Sequence, residues 1–224
     1  MSDRRGRKSP YTIDLVLVTA LKDQLAVLLW RTPEGKEKWA LPWGVPGSDE
    51  TLENAAGEIA TDALGILPVW LEQLGAFAAD KRHPSDSDVS VAFTGLVSAG
   101  TPPPVGGAYA WFPVSELPVL APRQRAMLDE SLVMLRSRMD QSPVAFRLLP
   151  PTFTLSELQH MYELLLGKRL HKVSFRRALQ AAWLVEPTDE WRSEGRGRPA
   201  QLFRYAPRKR RPAQRGIRLD LLTS

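Results

Sequence analysis

Apolar and polar positions divide the first two thirds of the chain into strand-like and helix-like stretches. Tyr11–Thr19, YTIDLVLVT, and Gln24–Arg31, QLAVLLWR, are apolar runs rich in β-branched residues. With the turn Leu-Lys-Asp between them they predict two strands. After the polar loop Thr32–Lys38, the span Leu41–Ile66 changes period. Gly44, Pro46 and Gly47 punctuate a loop, and Thr51–Leu64 then places Leu52, Ala55, Ala56, Ile59, Ala60 and Ala63 on one side of a helix, with Gly65 at its C-cap. Leu74–Asp80 and Asp88–Ala99 predict further strands around a charged loop, and the turn-rich GTPPPVGG leads into the short strand AYAWFPV. Pro122–Met139 predicts a helix: Pro122 suits its first turn, and Leu128, Leu132, Leu135 and Met139 form its apolar stripe.

The pattern changes again past residue 140. QSPVAFRLLPP opens a segment, residues 141–153, that reads as a linker because prolines bracket it. Thr154 and Glu157 have the spacing of a capping box ahead of Leu155, Leu158, Met161, Tyr162 and Leu165, and Gly167 ends that helix. A short turn precedes a second helix for which Ser174 is the expected N-cap. Phe175, Ala178, Leu179 and Ala182 face inward on it, leaving Arg176, Arg177 and Gln180 outside. Leu-Val-Glu-Pro, a polar glycine-containing turn and QLFRYAP complete helix, turn, helix and β-ribbon, the order of a winged helix. The expected division is a basic arm at 1–8, a body at 9–140, a linker at 141–153 and a winged helix at 154–224.

Charge sharpens that division. The chain carries a net +5, but residues 141–224 hold 16 Lys/Arg against 7 Asp/Glu, whereas residues 9–140 hold 10 against 17. The basic last third suits a polyanion such as double-stranded DNA. Arg176 and Arg177, expected in the first turn of the second helix, sit where the helix dipole disfavours cations, by a few tenths of a kcal/mol each. A helix–turn–helix uses that same end to meet phosphates and base edges. Lys172, Ser174, Arg176, Arg177 and Gln180 are therefore the candidate DNA-binding residues, joined by Arg196 and Arg198 at the glycine-flanked ribbon tip. Arg4, Arg5, Arg7 and Lys8 make the N-terminal arm a further candidate. The absence of cysteine excludes disulfides, thiol catalysis and cysteine-bound zinc, and fits a reducing cytoplasm. No apolar run reaches the roughly 18 residues of a spanning helix, so no membrane role is expected.

The span Leu41–Ile66 resembles the Nudix box, G-x5-E-x7-R-E-U-x-E-E-x-G-U with U a bulky apolar residue. Gly44 and Glu50 match its opening, and Gly65 and Ile66 its close. Glu58 and Ile59 stand where the box has Arg-Glu, and Asp62 and Ala63 where it has Glu-Glu. The box carboxylates hold divalent cations against a pyrophosphate, a role Ile59 and Ala63 cannot fill. The turn WALPWG, with Trp43 in place of a glycine, and the later WFPVSELPVL extend the resemblance over residues 9–140. Joined to FTLSELQHMYELLLGK, SFRRAL and GRGRPAQLFRY, the whole resembles the Nudix-related transcriptional regulators of NAD metabolism, the NrtR family. That resemblance implies an α+β protein, a Nudix-like α/β/α sandwich followed by a winged helix–turn–helix domain. It implies a homodimeric repressor of NAD biosynthesis or salvage genes, released from its operator by ADP-ribose or a related NAD-derived effector, with no catalytic residues, no metal and no cofactor. By position, Arg31, Lys38 and Arg82 are candidates for phosphate or ribose contacts and Trp43 for shaping the pocket mouth; His83 is a candidate for lining the site. Two alternatives stay open. One is an active pyrophosphohydrolase using Glu50, Glu53, Glu58 and Asp62 with an appended DNA-binding domain; the other is a repressor whose Nudix domain only dimerises.

Overall fold

Nine successive residues, Thr12 to Ala20, are buried along β1 (Tyr11–Leu21), the strand from which the first unit is built. A strand covered on both faces reads as a continuous apolar run, as this one does. β1 pairs antiparallel with β2 (Gln24–Arg31) and parallel with β6 (Val89–Leu96). β3 (Trp39–Ala40) and β7 (Tyr109–Pro113) both pair with β2, β4 (Trp43–Gly44) pairs with β1, and β5 (Trp70–Phe77) pairs with β6. The protein is described here by a computed structural model, covering residues 9–21, 23–33, 38–78, 83–85, 87–100, 107–139, 142–193 and 199–206. The basic arm, Arg82, Arg196 and Arg198 lie outside the described residues.

Helices cover the two faces of this sheet. α1 (Leu52–Leu64) starts at Thr51, whose side chain accepts from Asn54 N, and stops at Gly65, which adopts φ 74°. Its small Ala55, Ala56, Ala60 and Ala63 allow close approach to Ile13, Leu15, Leu17, Leu28 and Phe93, forming one core. Alternation along β1 turns Thr12 and Asp14 the other way, where Gln124 of α2 (Pro122–Arg138) meets Asp14. Ser131 of α2 accepts from Thr94 on β6 at 3.0 Å. The expected strand Leu74–Asp80 forms earlier, as β5.

The chain divides into compact units at Met134 and Leu135. The segment 141–153 is not the expected linker: it holds α3 (Val144–Leu148) and β8 (Thr152–Phe153). The reason is Phe146, whose ring lies 5.7 Å from Phe153, 6.3 Å from Tyr162 and 4.6 Å from Tyr205. The prolines that suggested a linker bracket a five-residue helix that anchors the second core. α4 (Leu155–Leu166) opens with the expected capping box: Glu157 N donates to Thr154 Oγ1 at 3.1 Å, and Thr154 N to Glu157 Oε2 at 2.6 Å. It buries Leu158, Met161, Tyr162 and Leu165 and ends at Gly167, φ 69°. α5 (Lys172–Ala182) follows, then β9 (Val185–Arg192) and β10 (Ala200–Tyr205). β10 lies between β8 and β9 in an antiparallel sheet. β9 runs further than the expected Leu-Val-Glu-Pro, through Arg192, so the polar stretch after Pro187 begins as strand. Among the described residues no helix is long and apolar enough to cross a membrane.

Candidate functional site

In the second unit the turn from α4 to α5 is held by one carboxylate. Glu163 Oε1 accepts from Leu170 N at 2.9 Å and from Gln159 Nε2 at 3.0 Å, while Arg169 reaches its Oε2 at 3.3 Å. Burial pushes the Glu163 carboxyl up, but the Leu170 N–H, Gln159 and Arg169 outweigh it and hold the group below its ordinary value. α5 docks through buried Phe175 and Leu179. That anchoring leaves Lys172, Arg176, Arg177 and Gln180 exposed and Ser174 half-buried. Lys172, Arg176 and Gln180 are spaced four apart and so run along one line of the helix.

Two expectations about this helix are corrected. His171, not Ser174, occupies the N-cap, and it offers no side-chain cap to the backbone. Ser174 lies within the helix, its Oγ 3.1 Å from His171 Nδ1. With the start at Lys172, Arg176 and Arg177 move to the second turn, and Lys172 takes the dipole-disfavoured end instead.

The cations of this unit differ in their company. Arg169 meets Glu163, Arg192 meets Glu157 and Arg204 meets Glu186. Lys172, Arg176 and Arg177 have no ion pair or side-chain hydrogen bond among the described residues. Their charge is directed at solvent or at a partner.

In the first unit the candidates fall in different places. Arg31 and Lys38 share one hairpin end: Arg31 pairs in register with Trp39, and Thr32 N donates to the Lys38 carbonyl at 3.0 Å. Both side chains are exposed. Trp43 is corrected from a pocket mouth to an interior residue. It is 4% exposed and pairs with Asp14 across β4 and β1. Its ring stands edge-on to Trp30 at 6.4 Å and to His83 at 5.3 Å. His83 is likewise interior: Nε2 lies 2.8 Å from Asp14 Oδ1, and Nδ1 accepts from Ser85 N at 3.1 Å.

Asp14 gathers a network that the sequence reading did not single out. Besides His83, it accepts from Gln124 Nε2 at 3.0 Å and Thr12 Oγ1 at 2.8 Å. Burial pushes its carboxyl up, yet the hydrogen bond and charge of His83, then Gln124 and Thr12, hold it below 3.8. An aspartate inside the apolar run YTIDLVLVT was the available signal, since a buried carboxylate demands partners. Nothing local marked Gln124, which is 110 positions away.

The box helix has exchanged its carboxylate face for core. Ile59 is 3% exposed and Ala63 fully buried within the α1–sheet core, while Glu53, Glu58 and Asp62 face outward. Glu50 turns back on the loop, accepting from Gly47 N at 2.8 Å.

Residues 145–205 match the NrtR DNA-binding winged helix domain. The chain is also 30% identical over 211 residues to the ADPR responsive transcriptional repressor NtrR of Acinetobacter baylyi, spanning 87% of this chain and 81% of that protein. The chain belongs to the NrtR family. The crystal structure of Shewanella oneidensis NrtR complexed with a 27mer DNA superposes with a TM-score of 0.77 at 31% identity, covering 89% of this chain and 94% of that one. A MutT/nudix family protein from Enterococcus faecalis shares the fold, with a TM-score of 0.69 at 19% identity over 89% of this chain and 87% of that one. Within this NrtR-family chain, the matched domain begins inside α3, in agreement with the place of Phe146 in the second core.

Proposed function

We propose that this chain is a DNA-binding repressor of NAD biosynthesis or salvage genes, released from its operator by ADP-ribose or a related NAD-derived metabolite. The observation that carries the DNA half is the uncompensated row Lys172, Arg176 and Arg177 on α5, with Gln180 continuing it, in a unit whose other described arginines are engaged elsewhere. Phosphates satisfy such cations, and a glutamine amide can read an adenine edge. Arg196 and Arg198, outside the described residues, are proposed as further DNA contacts. The effector half is supported by the name of the Acinetobacter relative and by the Nudix-like architecture of the first unit. Arg31 and Lys38, exposed at one hairpin end, suit the diphosphate, with Arg82 beside them in role. The first unit binds without hydrolysing, because the positions that would bring carboxylates to a metal are Ile59 and Ala63. The protein works in the cytoplasm as a homodimer whose two winged helices take the two halves of a near-palindromic operator.

A mobility shift with fragments upstream of NAD-synthesis genes, with and without ADP-ribose, tests both halves. A retarded fragment that ADP-ribose sets free is the expected result. A complex that persists in excess ADP-ribose overturns the effector, and the absence of any retarded fragment overturns the repressor.

A further inference from the structure

α5 presents one side chain that neither the core nor charge accounts for. Val173 is 59% exposed, whereas Phe175 and Leu179, through which the helix docks, are buried. Among the described residues of α5 it is the one large apolar side chain left exposed. A β-branched residue is a poorer helix former than alanine, and this one gains little packing in return. Local stability therefore gives no reason for a valine at this place.

Its position in the helix gives one. Residues three, four and seven apart lie on one side of a helix, so Val173 shares its side with Arg176, Arg177 and Gln180, all exposed. Val173 also sits in the first turn of α5, the end by which the second helix of a helix–turn–helix meets base edges. An isopropyl group has nothing to offer a phosphate, whose partners are cations and N–H or O–H donors. The major groove, by contrast, displays one apolar group among its donors and acceptors, the C5-methyl of thymine, and the minor groove displays none. Contact between the two removes apolar surface of both from water. Cytosine at the same place presents an amino donor and no methyl.

We infer that Val173 is a specificity-determining residue that reads the C5-methyl group of a thymine in the major groove, once in each half of the operator. It adds sequence preference to a helix side whose arginines supply affinity. This deepens the proposed repressor function and rests on it.

Deoxyuridine keeps the pairing edge of thymine and lacks only its methyl, so it isolates the contact. The operator that the full chain retards is prepared with each thymine in turn, and its symmetry mate, replaced by deoxyuridine. Fluorescence anisotropy at several salt concentrations then gives the affinities of the unsubstituted chain and of Val173→Ala. For the unsubstituted chain one position is expected to lose about fourfold per half-site, the equivalent of one buried methylene-sized group, while the others stay within about twofold. Val173→Ala is expected to bind the thymine operator about fourfold more weakly per half-site and to lose the distinction between thymine and deoxyuridine at that position. Its salt slope stays unchanged, because no phosphate contact is removed. Its thermal melt is also unchanged, since the side chain is exposed and alanine favours the helix. An operator whose affinity no deoxyuridine alters overturns the inference, as does a preference for the methyl that persists in Val173→Ala. Equal weakening of every duplex by Val173→Ala, with no methyl preference, would set Val173 against deoxyribose and overturn it too. If the unsubstituted chain retards no operator at all, the functional reading itself fails, which is a different result from an operator bound without regard to the methyl.

Discussion

Arg176 and Asp14 represent the two uses of charge in this molecule. Arg176 is exposed and has no acidic partner among the described residues. Its removal should therefore cost little stability, within about 0.5 kcal/mol, while operator binding loses a phosphate contact. Arg176→Ala is expected to weaken binding and reduce the slope of log affinity against log salt by about one. Fluorescence anisotropy at several salt concentrations, beside a thermal melt, checks both parts; unchanged affinity and slope would remove Arg176 from the interface. Asp14 is the opposite case, a carboxylate whose partners are all internal. Its folded pKa lies below the ordinary 3.8, so its contribution is complete above that value and is lost as pH falls through the folded one. Asp14→Asn leaves His83 facing an amide and should cost about 1–3 kcal/mol near neutrality. The deficit shrinks below pH 3.8, where Asp14 takes up a proton in the unfolded chain before it does in the folded protein. Denaturant midpoints from pH 7 down to 3 measure it, and a deficit that does not shrink across the acid range contradicts the assignment.

Among the elements, α3 is the one that the sequence pattern concealed. Five residues complete little more than one turn, so no period is visible, and flanking prolines look like breaks. Yet its Phe146 touches rings from β8, α4 and β10. Phe146→Ala should destabilise the second unit by about 3–5 kcal/mol, with operator binding lost through unfolding rather than through missing contacts. Circular dichroism melts distinguish the two, and a native-like melt would mean that α3 is peripheral. Other elements were legible because their ends carry side-chain signals. β2 spans Gln24–Arg31 as its pattern predicted, and Gly65, Thr154, Glu157 and Gly167 cap α1 and α4 as read, while Thr51, read as the first residue of α1, is its N-cap. α5 was misplaced at its start because His171 supplies no cap and Ser174 imitates one. The Asp14 network was hidden for another reason: its members come from β1, the His83–Ser87 loop and α2, and only the fold brings them together.

On the scale of the whole molecule, an acidic body sits in one chain with a basic last third, and binding has to be separated from chemistry for the two to act as a regulator. A sensor must release its ligand unchanged, whereas a hydrolase consumes it. Incubation with ADP-ribose and magnesium should therefore yield no AMP; metal-dependent AMP release would restore the pyrophosphohydrolase. The stronger test restores the box itself. If Ile59 and Ala63 were merely idle positions beside a preserved metal site, Ile59→Glu with Ala63→Glu would recover hydrolysis. Both positions instead belong to one buried core with Ile13, Leu15 and Leu28, where an unpaired carboxylate costs several kcal/mol or stays protonated. The double variant is thus expected to lower the melting temperature of the first unit by more than 10 °C, from a loss of about 3 kcal/mol or more at roughly 4 °C per kcal/mol. It should still release no AMP. A stable double variant with magnesium-dependent AMP release would show that the core face of α1 remains convertible to a metal site, and that the change from enzyme to sensor lies outside this helix.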